Sequence, residues 1–352
     1  MNKSRNFSMI EYLKLRAGTQ KPKYRFKGKT RADFDIWKDK LLGELKEALG
    51  PMPEPADLNP QVVWEIEQDG IIKRRVIIDL EEHMSAAALV FIPKSGSKVK
   101  PAILCNHGHG DYGKDSIMGI RSANEPARNA EIETYNCDYG LQMAKRGYVT
   151  MAIDWRGFGE RSDGGNPYPD RDKCNVHFIR GSIMNINLLA LDIFDGMRCI
   201  DYLCGLDCVD SERIGAMGLS FGGTMTTWIT LMDQRVKAAD IICYSCRFES
   251  FAVDRGQFCG SQMFAGIFDL CDIPDLHGLI APRPLLAEIG VHDKVFYAEE
   301  AFSCSTEVAK IYQAAGASGN YEVDVFDGDH KFAGNEAFEF FNKHLKKKEY
   351  VK

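Results

Sequence analysis

The sequence predicts an α/β protein: a mostly parallel sheet with helices on both faces. Two observations carry this expectation. After Pro101, short apolar runs alternate with helical stretches to the end of the chain, as a buried parallel sheet requires. The residues most suited to chemistry fall directly after those runs, where ligands bind in such sheets. Composition agrees: at 45% hydrophobic and 27% charged residues, the chain excludes a disordered or collagen-like protein. With 352 residues it has room for two domains. The motifs instead indicate one large catalytic domain over residues 61–352, preceded by an extension at 1–60.

The elements follow in order. Residues 32–49 place Phe34, Trp37, Leu41, Leu42, Leu45 and Leu49 at helical spacing, and Gly50-Pro51 stops the helix. A proline-rich link follows. The runs VVWEIEQ, IIKRRVIIDL and SAAALVFIP, separated by short gaps, predict antiparallel strands. The next strands are AILCNHG, GYVTMAIDW, RIGAMGLS, KAADIICYS, PLLAEIG and YEVDVFDG. Helices are expected over 137–146, 183–206, from about Gly222, over 298–315 and over 335–347. Segments 111–136, 160–182 and 247–281 read as irregular insertions that shape a pocket.

The charge is uneven. Residues 1–31 carry ten Lys and Arg against Glu11 alone, so a +9 arm precedes a −15 body. The arm is expected to lie along that acidic body or on a neighbouring copy rather than on RNA or a membrane, since an overall charge of −6 is too acidic for a nucleic-acid binder. No apolar run reaches the roughly 18 residues of a membrane span. The charged N-terminus lacks a signal-peptide core. Eleven scattered cysteines then fit reduced thiols in a cytoplasm. Cys243 and Cys246 form a C-x-x-C inside an apolar strand, without a close Cys/His partner to complete a zinc set, and are expected to be core thiols. No metal and no cofactor are expected.

The sharpest motif is Gly218-Leu219-Ser220-Phe221-Gly222-Gly223, with a strand before it and a helix after it. This is the context of a nucleophile elbow, in which glycines free space around a strained serine. The Phe221 amide, at the helix start, is a candidate oxyanion donor. The serine needs a base. Among His277, His292, His330 and His344, His330 follows a strand directly and is the preferred candidate. Asp293, after the preceding strand, is the preferred orienting acid; Asp324, Asp327 and Asp329 are rivals. The second oxyanion donor is expected from His107-Gly108-His109-Gly110, at the amides near Gly108 and His109. A His107/His109 metal pair is the lesser reading. Asp154-Trp155-Arg156-Gly157-Phe158-Gly159-Glu160-Arg161-Ser162 fails as a dinucleotide fingerprint, because Ser162 stands at the third glycine position. It reads as a turn beside the pocket, with Arg156 in a buried network with Glu160 or Asp154. Tyr112, Trp155, Arg156 and Phe158 are candidate pocket residues. Tyr112, Trp155, Phe158, Phe248, Phe251, Phe258 and Phe264 divide evenly between a pocket wall and core under a lid.

These residues resemble the α/β-hydrolase superfamily. H-G-H-G at 107–110, D-x-R-G-x-G at 154–159, G-x-S-x-G-G at 218–223, Asp293 and His330 occur in that family's order, over roughly residues 80–347. More narrowly, the chain is similar to the dienelactone-hydrolase-like and acetyl xylan esterase-like branch. It departs from true dienelactone hydrolases, whose nucleophile is cysteine, in having Ser220. The resemblance implies an α/β-hydrolase fold with about eight strands, one early strand antiparallel, a Ser-Asp-His triad and no cofactor. It further implies a serine carboxylic-ester hydrolase acting on small acyl esters of a sugar or small alcohol. Two alternatives are a serine peptidase of prolyl-oligopeptidase type, which normally carries a large N-terminal propeller, and a non-catalytic binding protein on the same scaffold. The expected partner is a small-molecule ester, with a homo-oligomer formed through the N-terminal extension.

Overall fold

The computed structural model describes residues 5–163 and 171–346. Nine strands form one sheet in the order β1-β2-β3-β5-β4-β6-β7-β8-β9. They are β1 Gln61–Gln68, β2 Ile71–Glu81, β3 Met84–Pro93, β4 Lys100–Asn106, β5 Val149–Ile153, β6 Val209–Leu219, β7 Val236–Ile242, β8 Leu285–Gly290 and β9 Tyr321–Phe326. From β5 to β9 neighbouring strands pair in parallel, while β1, β2, β3 and β5 pair antiparallel in succession. The nine strands are the runs read from the sequence and come close to the eight that the resemblance implies, but two early strands, β1 and β3, rather than one run opposite to the rest. The side chains of β1 are almost all exposed and include Glu65 and Glu67, the polar character that lets an edge strand face water. Central strands β4, β5 and β8 are buried along their whole length, which is why they read as continuous apolar runs.

Twelve helices accompany the sheet among the described residues. The first two lie in the extension: α1 Met9–Ala17 and α2 Arg31–Leu49. Before the serine come α3 Gly113–Ile117, α4 Pro126–Tyr135, α5 Tyr139–Lys145, α6 Lys173–Ile183 and α7 Leu188–Cys204. After it come α8 Phe221–Met232, α9 Ile267–Leu270, α10 Ile273–Gly278, α11 Ala298–Ala314 and α12 Ala337–Leu345. The supposedly irregular segments therefore contain α3, α4, most of α6, and the pair α9 and α10; residues 164–170 lie outside the described residues. These helices escape a periodicity reading because α4 is polar nearly all round, burying only Arg128 and Ile132. The expected helix 183–206 is interrupted at 184–187, where Asn185 has a positive φ and Asn187 caps α7.

Helix α2 follows its sequence closely. Thr30 and Asp33 form a reciprocal capping box at its start. Phe34, Leu41, Leu45 and Leu49 are buried on one face, each worth ~1.5–3 kcal/mol of burial. Gly50 ends it at φ 77°. The basic arm lies on the acidic body: Arg25 pairs with Asp272 at 2.7 Å, with Asp275 at 3.3 Å and with Glu307. No helix among the described residues is long and apolar enough to cross a membrane.

Candidate active site

The site begins where β6 meets α8. Ser220 sits between them at φ 62°, ψ −120°, a backbone conformation that costs ~1–3 kcal/mol for a residue with a side chain. Its neighbours show why glycines flank it. A Cβ on Gly218 would lie 2.4 Å from the Gly222 carbonyl oxygen, and one on Gly222 would lie 2.1 Å from that of Asn106. One on Gly223 would meet the Tyr244 Cβ at 2.6 Å. The turn is thus pressed against the end of β4. Gly108, just past β4, approaches it from the other side, its hypothetical Cβ 3.7 Å from that of Ser220. The Phe221 amide belongs to the first turn of α8 and has no carbonyl partner within the helix.

His330 and Asp293 come from the loops after β9 and β8. The His330 Nδ1 lies 2.8 Å from Asp293 Oδ2. The other oxygen, Oδ1, accepts from the amides of Val295 at 2.7 Å and Phe296 at 2.9 Å. The carboxylate is therefore fixed by its own loop before it holds the imidazole. The Phe296 ring stacks on His330 at 5.5 Å and 20°, and Tyr135 meets it edge-on at 6.3 Å. Of the rivals, Asp327 bonds to exposed His292 at 2.8 Å. Asp324 lies in β9 beside Glu288. His277 is fully buried, and burial lowers its pKa to about 3; His344 sits on α12 beside Glu322.

Ser220, Phe221, Gly108, His109 and His330 all border one cavity of about 510 Å³, within the usual range for small-ligand sites. Phe251, Phe258 and Phe296 give it an aromatic wall. Glu131, Asp172, Asn175, Gln257 and Gln262 give it polar groups. Among them, Glu131 accepts from the Ser116 hydroxyl at 2.6 Å, and its carboxyl pKa is raised by burial. Sequence reasoning missed Tyr135, Phe296 and the polar residues, because they come from α4, α6 and loops without a periodic signal.

His107 is committed elsewhere. Its Nε2 accepts from the Trp155 amide at 3.0 Å, so the Nδ1 that lies 2.7 Å from the Gly108 carbonyl carries the proton. Burial lowers its pKa to about 4 and keeps the ring neutral. It braces the glycine loop, and the His107/His109 metal pair does not form.

The loop at 154–162 also corrects an expectation. Arg156 pairs with Asp195 at 2.7 Å and Glu81 at 2.9 Å, not with Glu160 or Asp154. Those two acids instead hold the buried Lys114 ammonium, each at 2.8 Å. Trp155 is buried in the core and Tyr112 precedes α3, so neither they nor Arg156 border the serine cavity. Phe158 stacks on the back of Phe221 at 5.3 Å and borders an adjoining cavity of about 350 Å³. Of the evenly divided aromatics, Phe251 and Phe258 line the serine cavity, whereas Phe248 and Phe264 pack in the core. Cys243 and Cys246 are both buried free thiols, and the Cys243 sulfur lies within 4.8 Å of the His330–Asp293 pair.

The fold is the α/β-hydrolase fold, and its strand ends carry the serine, acid and histidine in that fold's order. Residues 131–255, which include Ser220, match the family model of acetyl xylan esterase (AXE1). A Bacillus subtilis (strain 168) protein named "Putative hydrolase YtaP" is 27% identical over 290 residues, covering 80% of this chain and 89% of that one. Among solved structures, one described as a putative acetyl xylan esterase from Bacteroides fragilis NCTC 9343 superposes with a TM-score of 0.76 at 18% identity, covering 98% of this chain and 93% of that one. A glucuronoyl esterase from Solibacter usitatus gives a TM-score of 0.64 at 16% identity, covering 89% and 93% respectively.

Proposed function

We propose that the protein is a serine carboxylic-ester hydrolase working through an acyl-enzyme, on small acyl esters of a sugar. The observation that carries this reading is the strained Ser220 opening into the same cavity as the His330–Asp293 pair. His330 Nδ1–H donates a hydrogen bond to Asp293 Oδ2, which keeps that proton in place and leaves Nε2 as the base. Ser220 Oγ attacks the ester carbonyl as Nε2 removes its proton. The amides of Phe221 and of the Gly108–His109 segment receive the oxyanion, a term worth ~2.7–4 kcal/mol per donor. The imidazolium then protonates the departing alcohol, and water repeats the sequence on the acyl-serine.

The sugar assignment is supported by the cavity's composition: aromatic rings together with side-chain amides and carboxylates line it, groups that can stack on a pyranose and bond its hydroxyls. The acetyl xylan esterase match and the sugar-ester names of the structural relatives point the same way. We read residues 61–352 as the catalytic unit and 1–60 as an extension. Phe7, Met9, Ile10, Leu13 and Leu15 are exposed on and around α1, which favours self-association through that extension.

A kinetic panel tests the reading. Acetyl to octanoyl esters, acetylated sugars and aminoacyl amides are compared on the wild-type chain. Acetylated sugars should give the highest kcat/KM. A flat profile across acyl length contradicts the small-acyl assignment, and preferential amide cleavage contradicts the esterase reading.

A further inference from the structure

Beside the serine cavity lies a second group of chemically potent side chains that the hydrolytic reading does not use. His109 Nε2, Cys174 Sγ and Cys259 Sγ all lie within 4.8 Å of one another. Asp172 flanks the set, its Oδ2 3.5 Å from His109 Nε2 and its Oδ1 accepting from the Cys174 thiol at 2.9 Å. We propose that His109, Cys174 and Cys259 bind a zinc-like divalent cation at the mouth of the serine cavity, with the fourth tetrahedral position left to solvent.

The donor chemistry and the spacing agree. Zinc takes thiolate at ~2.3 Å and imidazole or carboxylate at ~2.0–2.2 Å, so neighbouring ligand atoms of a tetrahedral site stand ~3.4–3.8 Å apart. The separation of His109 Nε2 from Cys174 Sγ is 3.4 Å, and the three donor atoms all lie within 4.8 Å of one another. Binding displaces one proton from each thiol to solvent, giving a dithiolate whose two charges neutralise the cation. His109 and Asp172 side chains are each 41% exposed, which provides an entry path, whereas the two cysteines are buried behind them.

The ligands are brought together by a built contact. Cys259 precedes a tight turn, Gly260–Gln262, that packs on α6, the helix bearing Cys174. A Cβ on Gly260 would lie 2.1 Å from the Phe178 Cβ, so this approach needs glycine. The Gly260 amide bonds to Asn175 on α6 at 2.9 Å, and the Cys259 amide to Gln262 at 3.2 Å. The His109 ring is held edge-on against Phe158 at 5.1 Å. The ion fastens α6 and the Gly260 turn to the loop whose amides face Ser220. The sequence concealed the set, because its members lie far apart in the chain and have no short spacing.

The test uses the full chain, reduced and stripped of metal, then titrated with cobalt and with zinc. Cobalt should produce a thiolate-to-metal charge-transfer band and intense visible bands of tetrahedral cobalt, saturating at about one equivalent per chain. Zinc should displace them. Cys208→Ser, at a cysteine away from the site, should keep the cobalt signal, and the double variant Cys174→Ser/Cys259→Ser should lose it. Because that variant could misfold, X-ray absorption of the wild-type zinc complex provides a second reading: two sulfur and two nitrogen or oxygen neighbours are expected. Absence of thiolate bands, a sulfur-free zinc shell, or recovery of Cys174 and Cys259 as a disulfide from the reduced protein overturns the proposal.

Discussion

Two strand-end loops of this molecule began with similar credentials and met opposite fates. The loop at 154–162, after β5, carries two acids, two arginines and two aromatics within nine residues; the loops at 293 and 330, after β8 and β9, offer an aspartate and a histidine. In the first, every charge is consumed. Asp154 receives the Lys114 amide at 2.8 Å and the Glu160 amide at 3.0 Å as well as the Lys114 ammonium. Arg156 and Arg161 both close on Asp195. In the second, Asp293 spends one oxygen on its own backbone and the other on His330, so the chain of bonds ends at an imidazole on the cavity wall. What distinguishes a reactive loop is one valence left open toward a cavity, rather than the density of charge.

The comparison can be broken most sharply at the reactive end. Ser220→Ala should lower kcat on an acetyl ester by at least about 10⁴-fold with little change in KM, because the serine acts in bond formation; steady-state kinetics read this directly. Asp293→Asn should cost about 10⁴-fold by the same assay, since the amide holds the wrong imidazole tautomer. At the consumed end the outcome should invert. Arg156→Met leaves the buried Asp195 with one cation fewer and the half-buried Glu81 unpaired, and should lose ~3–5 kcal/mol of stability in denaturant unfolding, while the folded fraction keeps its rate of fluorophosphonate labelling. Equal losses of labelling in Arg156→Met and Asp293→Asn would erase the distinction.

A smaller effect sits behind the site. Glu288, fully buried, accepts from the Ala333 amide at 3.1 Å and so anchors the loop bearing His330. Burial pushes its carboxyl pKa well above the usual carboxylate range, with Asp324 adding to the rise. A carboxyl held protonated in the folded state stabilises it fully below the unfolded pKa, and that stability is lost as pH rises through the folded value. Thermal unfolding followed from pH 5 to about pH 9 should show a falling midpoint, with a shallower fall in Glu288→Gln. An identical slope in the two proteins would remove Glu288 from the account.

The reactive half of the molecule was legible because its chemistry demands rare local patterns. A serine at positive φ needs Gly218, Gly222 and Gly223 around it, and those glycines are visible in sequence. His330 and Asp293 were found by position, each directly after an apolar strand. The 154–162 loop misled for a physical reason: Lys114, Glu81 and Asp195, which consume its charges, come from distant parts of the chain. The polar α4 gave no periodic signal, although its Glu131 and Tyr135 reach the cavity. All nine strands were legible as separate runs, the exposed edge strand β1 included, whereas the His109, Cys174 and Cys259 cluster had no spacing to betray it.

The central claim is that Ser220 carries the acyl group between two half-reactions. Rapid acid quenching during turnover of an acetyl ester, followed by peptide mass spectrometry, tests it most directly. The account predicts an acetyl increment on the peptide containing Ser220, appearing before the steady state and absent in Ser220→Ala. An acetyl increment on another residue, or turnover that survives in Ser220→Ala, would contradict it.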